Sequence, residues 1–213
     1  MICLENGRLS LAFCEESGAV TGLRDLRSSR QFVVQGVRAA PFRLELADGF
    51  TSEYRSFRWE AEHAADGAKR LTLVWEVKPG LVVTGGVELS GDGEEVRFAC
   101  EAANSTAEPV LSLEYPVIPN LGVISENGEN DFVAHSFATG FLVRNPMKHL
   151  ARGGPDFRFM PYPEGFSGAT MQFFAYYGVR RGGLYFAALD GEGYAKWLNF
   201  YKNENDLLEA SFI

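Results

Sequence analysis

The sequence has 213 residues and enough apolar side chains to bury a sizeable core. Its formal net charge of −8, with no Lys- or Arg-rich run, argues against a nucleic-acid partner. No apolar run approaches the roughly 20 residues that span a bilayer, and the start, MICLENGRLSLAF, lacks the pattern of a secretory signal. We therefore predict a cytoplasmic protein with neither a nucleic-acid nor a membrane partner.

From the first residues onward, apolar and polar residues alternate. The stretches that show this alternation are GRLSLAF, FRLELAD, KRLTLVWEVK and EEVRFACEA. Turn signals such as Asn-Gly and Asp-Gly separate them at short intervals, and no window shows an apolar stripe of helical period. This pattern predicts an all-β sandwich or barrel with well over a dozen strands. We expect residues 1–213 to form a single domain.

The residues that could bind a metal are scattered along the chain. The three cysteines, Cys3, Cys14 and Cys100, have no CxxC spacing, and we predict that they are small buried thiols in strands. The histidines show neither HxH nor HExxH spacing. We therefore predict no cofactor and no metal site, although one stretch leaves an alternative open. SENGENDF, residues 125–132, is either a solvated hairpin tip or a calcium site with acidic oxygen ligands.

His135 lies in the next predicted strand, FVAHSF, where it alternates with Val133 and Phe137. A strand histidine that faces a cleft can act as a general acid near neutral pH. The other interpretation is a hydrogen-bonded structural histidine, and the sequence leaves both open.

The least strand-like part of the chain is residues 145–166, NPMKHLARGGPDFRFMPYPEGF, with four prolines and three glycines. A loop of this length is usually functional or disordered, and its aromatic residues argue against disorder. Aromatic faces combined with charged groups are typical of sugar sites. The same mixture suits a docking surface for another domain, or a loop folded onto its own core. The candidate residues here are Arg158, Phe159, Tyr162, Glu164 and Phe166.

The stretch MQFFAYY, residues 171–177, reads as a strand with large side chains on both faces. We predict that Met171, Phe173 and Tyr177 face the core, and that Phe174 and Tyr176 face solvent or a partner. The final stretch, NDLLEASFI, reads as another strand and stops at Ile213 as if partway through it. We therefore expect the chain to be a piece of a longer polypeptide.

The opening stretch carries a family resemblance. In ICLENGRLSLAFCEESGAVTGLRDLRSSRQFV, the positions that match the pattern ENxxLxLxFdxxtGxlxxLxDxxtgxxf are Glu5, Asn6, Leu9, Leu11, Phe13, Gly18, Leu23 and Asp25. This opening resembles the galactose-mutarotase-like β-supersandwich that precedes the catalytic barrel in several glycoside hydrolase families. EYPVIPNLG, residues 114–122, is similar to a strand-to-loop passage of such domains.

Two later segments resemble a narrower group. HSFATGFLVRNP, which contains Arg144, and YPEGFSGATMQFFAYY with the GGLYFAALDGEGYAKWLNFYKN that follows are similar to bacterial uncharacterised glycosidase-like proteins. In that group a sandwich heads a (β/α)8 barrel, and the resemblance covers essentially the whole chain. It implies an all-β, two-layer antiparallel β-supersandwich. It also implies catalytic carboxylates on the barrel, which this chain lacks.

These observations predict an N-terminal accessory domain of a carbohydrate-active enzyme, a glycoside hydrolase. Its expected partners are a carbohydrate and the downstream catalytic barrel of the same chain. His135 and Arg144 join the residues of the aromatic loop as candidate sugar or domain contacts, and no residue of this chain is predicted to be catalytic. The alternatives are a standalone carbohydrate-binding module and a mutarotase-like or lyase-like sugar enzyme that uses His135 with a carboxylate.

Overall fold

The structure, a computed structural model, describes residues 1–154, 157–164 and 168–213. It confirms the all-β prediction, with antiparallel sheets throughout the pairs of strands whose register is defined. The one helix in the described residues is α1, Pro146–His149. No described helix is long and apolar enough to cross a membrane. The chain divides into two compact units, Met1–Val117 and Ile118–Ile213.

The first unit contains three sheets, with strand orders β1-β2-β3-β4, β10-β9-β8-β7 and β11-β5-β6. Its strands are β1 (Ile2–Glu5), β2 (Leu9–Phe13), β3 (Val20–Asp25), β4 (Arg30–Gln31), β5 (Arg43–Leu46), β6 (Gly49–Thr51), β7 (Ser56–His63), β8 (Lys69–Lys78), β9 (Leu81–Leu89), β10 (Val96–Asn104) and β11 (Ser112–Glu114).

The second unit contains two sheets of four strands, with orders β12-β19-β18-β15 and β14-β13-β16-β17. Its strands are β12 (Val117–Leu121, which begins at the last residue of the first unit), β13 (Asp131–Phe137), β14 (Phe141–Arg144), β15 (Met160–Tyr162), β16 (Ala169–Gly178), β17 (Gly182–Ala187), β18 (Lys196–Lys202) and β19 (Leu208–Phe212). The prediction that residues 1–213 form a single domain stays a prediction.

Trp75 lies at the centre of the core of the first unit. The predicted alternation in KRLTLVWEVK is confirmed, because Leu71, Leu73 and Trp75 are all fully buried on one face of β8. The Trp75 ring lies 5.1 Å from the Phe42 ring, and its indole N–H donates to the Ser17 carbonyl oxygen at 2.7 Å. The largest buried side chain therefore has both apolar contacts and a hydrogen-bond partner.

Gly85, on β9, makes room for a second aromatic side chain in this core. A Cβ atom at Gly85 would lie 2.8 Å from the Tyr115 ring and hydroxyl and 3.1 Å from the Trp75 ring. The absence of a side chain at this strand position therefore allows the Tyr115 ring to lie directly against the sheet.

The two sheets of the second unit contact each other through aromatic rings. Phe174, on β16, lies 5.8 Å from Phe200 of β18 and 5.6 Å from Phe212 of β19. Tyr176 also meets Phe200, at 5.5 Å. Both β16 side chains are fully buried between the sheets.

The predicted facing of β16 is therefore wrong. Phe174 and Tyr176, which were expected to face solvent or a partner, form the core, whereas Met171 is exposed and Phe173 and Tyr177 are only half-buried. The physical reason is that both faces of this strand carry aromatic residues. Alternation alone then cannot show which face meets the opposite sheet.

The prediction of buried cysteines is also wrong. Cys3 and Cys100 are exposed, and Cys14 is half-buried; all three are free thiols. Cys3 and Cys100 do lie in strands, β1 and β10, but on positions that the core of the first unit does not cover.

Candidate functional site

The buried polar residues are concentrated in the second unit. In the first unit the one buried polar residue is Glu114, whose carboxylate pairs with the Arg43 guanidinium at 2.8 Å. The described part of the second unit buries Asn120, Ser125, Asp131, His135, Ser136, Asn145, Asn199, Asn203, Glu209 and Ser211. Buried polar groups are more informative about function than exposed apolar ones, because they are costly unless they are satisfied.

Three of these residues, with Tyr201, form one surface that we call the polar face. Asn199 and Tyr201 alternate along β18, and they pair across the ladder with Ser211 and Glu209 of β19. The Asn199 amide donates to the Ser211 hydroxyl at 3.2 Å, and the Tyr201 hydroxyl donates to a Glu209 carboxylate oxygen. Since strand side chains alternate, the polar face lies opposite Phe200 and Phe212, which pack into the unit's aromatic core.

Asparagines extend the polar face toward β12. The Asn203 side-chain amide donates to the Asn120 side-chain oxygen at 3.0 Å and to the second Glu209 carboxylate oxygen at 3.4 Å. The Asn203 side-chain oxygen accepts from the backbone N–H groups of Asn205 and Leu207. Asn120 itself has a positive φ of 55°, a conformation that asparagine adopts more readily than most residues. The network therefore holds the Glu209 carboxylate in a fixed, hydrogen-bonded position.

An aromatic rim borders the polar face, and it consists of Arg158, Phe159 and Trp197. The Phe159 backbone N–H donates to the Asn199 side-chain oxygen at 2.6 Å, and its ring meets the Trp197 ring edge-on at 5.9 Å. The Arg158 guanidinium lies 5.0 Å from the Phe159 ring centre and 4.7 Å from the Tyr201 ring centre. Phe159 is 39% exposed. Two residues predicted from the sequence, Arg158 and Phe159, thus lie directly against the polar face.

The polar face and the rim combine three kinds of interaction. Glu209 is an acceptor, the asparagine amides are both donors and acceptors, and Arg158 is a donor whose flat group stacks on rings. Phe159 and Trp197 add aromatic surface at the border. A ligand with several hydroxyl groups and an apolar ring face matches this set, because hydroxyls need paired donors and acceptors and ring faces need aromatic contact.

Tyr162 and Glu164 lie near the rim but outside the polar face. Tyr162 pairs across the ladder with Lys196, whose ammonium lies 4.9 Å from the Tyr162 ring centre. Lys196 also donates to Asp190 at 2.7 Å, and this hydrogen bond holds the pKa of the Asp190 carboxyl below its usual value. Glu164 is exposed, and its backbone N–H donates to the Ala169 carbonyl oxygen. Phe166 lies outside the described residues.

His135 is buried away from solvent, with only 2% of its surface exposed. Its imidazole lies between two nearly parallel rings, 5.1 Å from Phe157 and 5.6 Å from Phe174. Burial lowers its pKa to about 4, and the Leu198 backbone offsets a part of that shift. The Leu198 contact lacks hydrogen-bond geometry, so neither ring nitrogen has a hydrogen-bond partner among the described residues.

Arg144 and the acidic stretch before β13 form a separate, structural group. The Arg144 side chain is exposed and donates to the Glu129 carbonyl oxygen at 2.7 Å. The Asp131 carboxylate accepts from the backbone N–H groups of Ile124 and Ser125 at 2.7 Å, and from the Tyr176 hydroxyl at 3.2 Å. Among the residues that the structure describes, no three acidic, histidine or cysteine side chains are arranged to hold a metal ion.

The residues that sequence reasoning missed are Asn199, Tyr201, Glu209 and Trp197. The alternation of Glu209 with Ser211 is visible in the final stretch, and the polar residues of KWLNFYKN alternate in the same way. Alternation shows that such residues share a face. It does not show that this face is buried, and burial is what distinguishes the polar face from a solvated one.

The comparisons with known proteins give no assignment. No protein-family model matches the chain, and no curated protein sequence matches it significantly.

Proposed function

We propose that this chain is an accessory β-sandwich domain of a carbohydrate-active protein, and that it contacts sugar through the aromatic rim, which the buried polar face holds in position. The observation that carries the proposal is the fixed Glu209 carboxylate, which Tyr201 and Asn203 hold by hydrogen bonds. Beside it the Arg158 guanidinium lies over the Phe159 ring. A sheet face buried only for stability is normally apolar, because buried polar groups add little net stability.

The accessible part of this site is the rim. Phe159 is the exposed ring, and Arg158 and Trp197 beside it are half-buried. A sugar ring would therefore lie on Phe159 and Trp197, while Arg158 donates hydrogen bonds to its hydroxyls. The polar face beneath would orient the rim, since the Phe159 backbone is bonded directly to Asn199.

The finer fold, a two-layer galactose-mutarotase-like supersandwich, belongs to the same proposal. The ring contacts between Phe174 of one four-stranded sheet and Phe200 and Phe212 of the other support a sandwich arrangement in the second unit. In the longer protein that the sequence resemblance implies, a catalytic barrel of a glycoside hydrolase would follow, and this domain would support it and line its sugar cleft. That assignment rests on the sequence resemblance of the opening stretch and of the two later segments.

The mutarotase-like alternative is less well supported. It needs a histidine that is open to the substrate and able to exchange protons near neutral pH. His135 lies between the Phe157 and Phe174 rings with a pKa of about 4. The exposed histidine at position 149 follows at the end of α1, on a different element.

The test is saccharide binding by this chain, measured by isothermal titration calorimetry against a panel of neutral and acidic mono- and oligosaccharides. We expect at least one saccharide to bind saturably, and the F159A variant to weaken its affinity by about tenfold, the magnitude of a lost aromatic contact of roughly 1.4 kcal/mol. The R158A variant should have a similar effect, because the stacked guanidinium is lost.

The matched control is W59A. Trp59 lies on β7 in the first unit and is 40% exposed, almost the same as Phe159. The W59A variant should bind saccharide with the same affinity as the wild type. The proposal is wrong if no saccharide binds at millimolar concentration, or if F159A and W59A bind equally well.

A further inference from the structure

Strand β17 has an open edge. It is the last strand of the β14-β13-β16-β17 sheet, and among the described strands it pairs only with β16. Its sequence is GGLYFA, and it carries no charged residue and no proline. An uncharged edge strand of this length presents unpaired backbone groups that can pair with another strand.

The other edges of the described sheets are blunted. β6 has three residues, and each remaining edge strand contains a charged residue or a proline, features that discourage edge pairing. These residues are Glu5 in β1, Arg30 in β4, Arg58 in β7, Arg97 in β10, Glu114 in β11, Pro119 in β12, Arg144 in β14 and Pro161 in β15. β17 is therefore the exception among the edges that the structure describes.

The hydrogen-bond pattern shows which backbone groups of β17 face outward. The Ala188 N–H donates to the Gln172 carbonyl oxygen, so the even-numbered residues of this strand direct their backbone groups toward β16. In an antiparallel ladder these groups alternate from one residue to the next. The N–H and C=O groups of Gly183, Tyr185 and Ala187 consequently point to the open edge.

Opposite charges stand at the two ends of this strand. Arg180 and Arg181 precede β17 and are exposed, whereas Asp190 and Glu192 follow it. Asp190 already binds Lys196, so the exposed Glu192 is the carboxylate with the greater freedom to pair. Two such strands placed antiparallel would bring the basic end of each to the acidic end of the other.

We propose that β17 pairs with β17 of a second copy of this chain, antiparallel and around a twofold axis at Tyr185. This register makes Tyr185 face its own symmetry mate and places Gly183 opposite Ala187, so every outward backbone group finds a partner. The same register brings the basic end of each strand to the acidic end of the other, so Glu192 lies diagonally across from Arg180. Hydrogen-bond parity and charge are therefore both satisfied in this register.

The dimer would join two four-stranded sheets into one continuous sheet. Tyr185, which is 67% exposed in the single chain, would become covered at the centre of the new interface. None of the polar-face or rim residues takes part, so the dimer and the proposed sugar contact can be tested separately.

The test is the association state of the chain, measured by sedimentation equilibrium over a range of concentrations. We expect a reversible dimer for the wild type and a monomer for A187P at concentrations where the wild type is dimeric. Proline at position 187 removes an outward N–H and leaves the bonds to β16 in place. The control is L142P on β14, which removes an outward N–H at the opposite edge of the same sheet and should leave the dimer intact.

A charge variant keeps the proposal testable if the proline variants fail to fold. R180E should weaken the dimer by about tenfold, because the twofold axis repeats each ion pair. Adding E192R to R180E should restore part of the affinity, because the double variant exchanges the charges at the two ends of the strand and opposite charges meet again across the interface. A wild type that stays monomeric throughout the concentration range would overturn the proposal, and so would an R180E variant that dimerises like the wild type.

Discussion

The two units of this chain bury different kinds of side chain. The first fills its interior with apolar and aromatic side chains around Trp75, and Glu114 is its one buried polar residue. The second packs aromatic rings between two sheets but also buries a hydrogen-bonded polar face and an imidazole that has no hydrogen-bond partner among the described residues. An apolar interior contributes stability with little chemical specificity, whereas buried polar networks add little stability and fix positions. We therefore expect packing changes to dominate in the first unit and polar and pH effects in the second.

The largest expected effect is a packing change in the first unit. In G85A, the new Cβ would overlap the Tyr115 ring at 2.8 Å and would also lie only 3.1 Å from the Trp75 ring. We expect a loss of about 3 kcal/mol in the free energy of unfolding, measured by urea titration. The neighbouring G86A is the control, because its Cβ meets only Ala99, at 3.8 Å. Equal stabilities for the two variants would contradict tight packing around Tyr115.

A pH effect in the second unit should be somewhat smaller. His135 has a pKa of about 4 in the folded chain and about 6.5 when unfolded. Between these values the unfolded state binds a proton that the folded state excludes, so stability falls as pH falls. From pH 7 to pH 5 the loss should be about 2 kcal/mol, measured by urea unfolding at each pH.

The control for this pH effect is H135L, which keeps an apolar group between the two rings. Between pH 7 and pH 5, H135L should lose about 2 kcal/mol less unfolding free energy than the wild type loses, because the titrating imidazole is gone. If both proteins lose stability equally in this range, His135 is not the group that titrates.

The smallest expected effect concerns the polar face. Y201F removes the hydroxyl that donates to the Glu209 carboxylate. A hydrogen bond to a charged group contributes about 1.5 kcal/mol or somewhat more, and the unfolding free energy should fall by this amount. Y194F is the control, since Tyr194 is 70% exposed, and it should leave stability unchanged. If Y201F and Y194F have the same unfolding free energy, the buried hydrogen bond to Glu209 does not stabilise the second unit.

The sequence predicts where the strands of this fold lie better than it predicts which face of each strand is buried. The alternation of KRLTLVWEVK locates β8 and its buried residues, because only one face of that strand carries large apolar side chains. MQFFAYY locates a strand but not its core face, because Met171, Phe173 and Phe174 supply large side chains to both faces. The choice between the faces depends on Phe200 and Phe212, which come later in the chain and lie on the opposite sheet.

Some residues of the candidate site can likewise be predicted from the sequence, and others cannot. Arg158 and Phe159 are recognisable from local composition, because they lie in a long proline-rich segment that combines aromatic and charged residues. Glu209 is one acidic residue among 28 Asp and Glu residues, and nothing nearby in the sequence distinguishes it from a solvated one. Its position next to Tyr201 depends on the register of β18 with β19, and its contact with the Asn203–Asn120 pair depends on β12, which is far away in sequence.

That long separation also affects the order in which the chain can fold. Strands β7 to β10 form a meander of successive neighbours, and contacts between near neighbours close quickly. Strand β12 must wait for β19, about ninety residues later, before the sheet that carries Glu209 is complete. During synthesis the ribosome therefore releases the partner of β12 only at the very end of this segment, when the meander has already had time to form. Until then the Asn120 strand has no sheet to join, and its apolar side chains stay uncovered by β19.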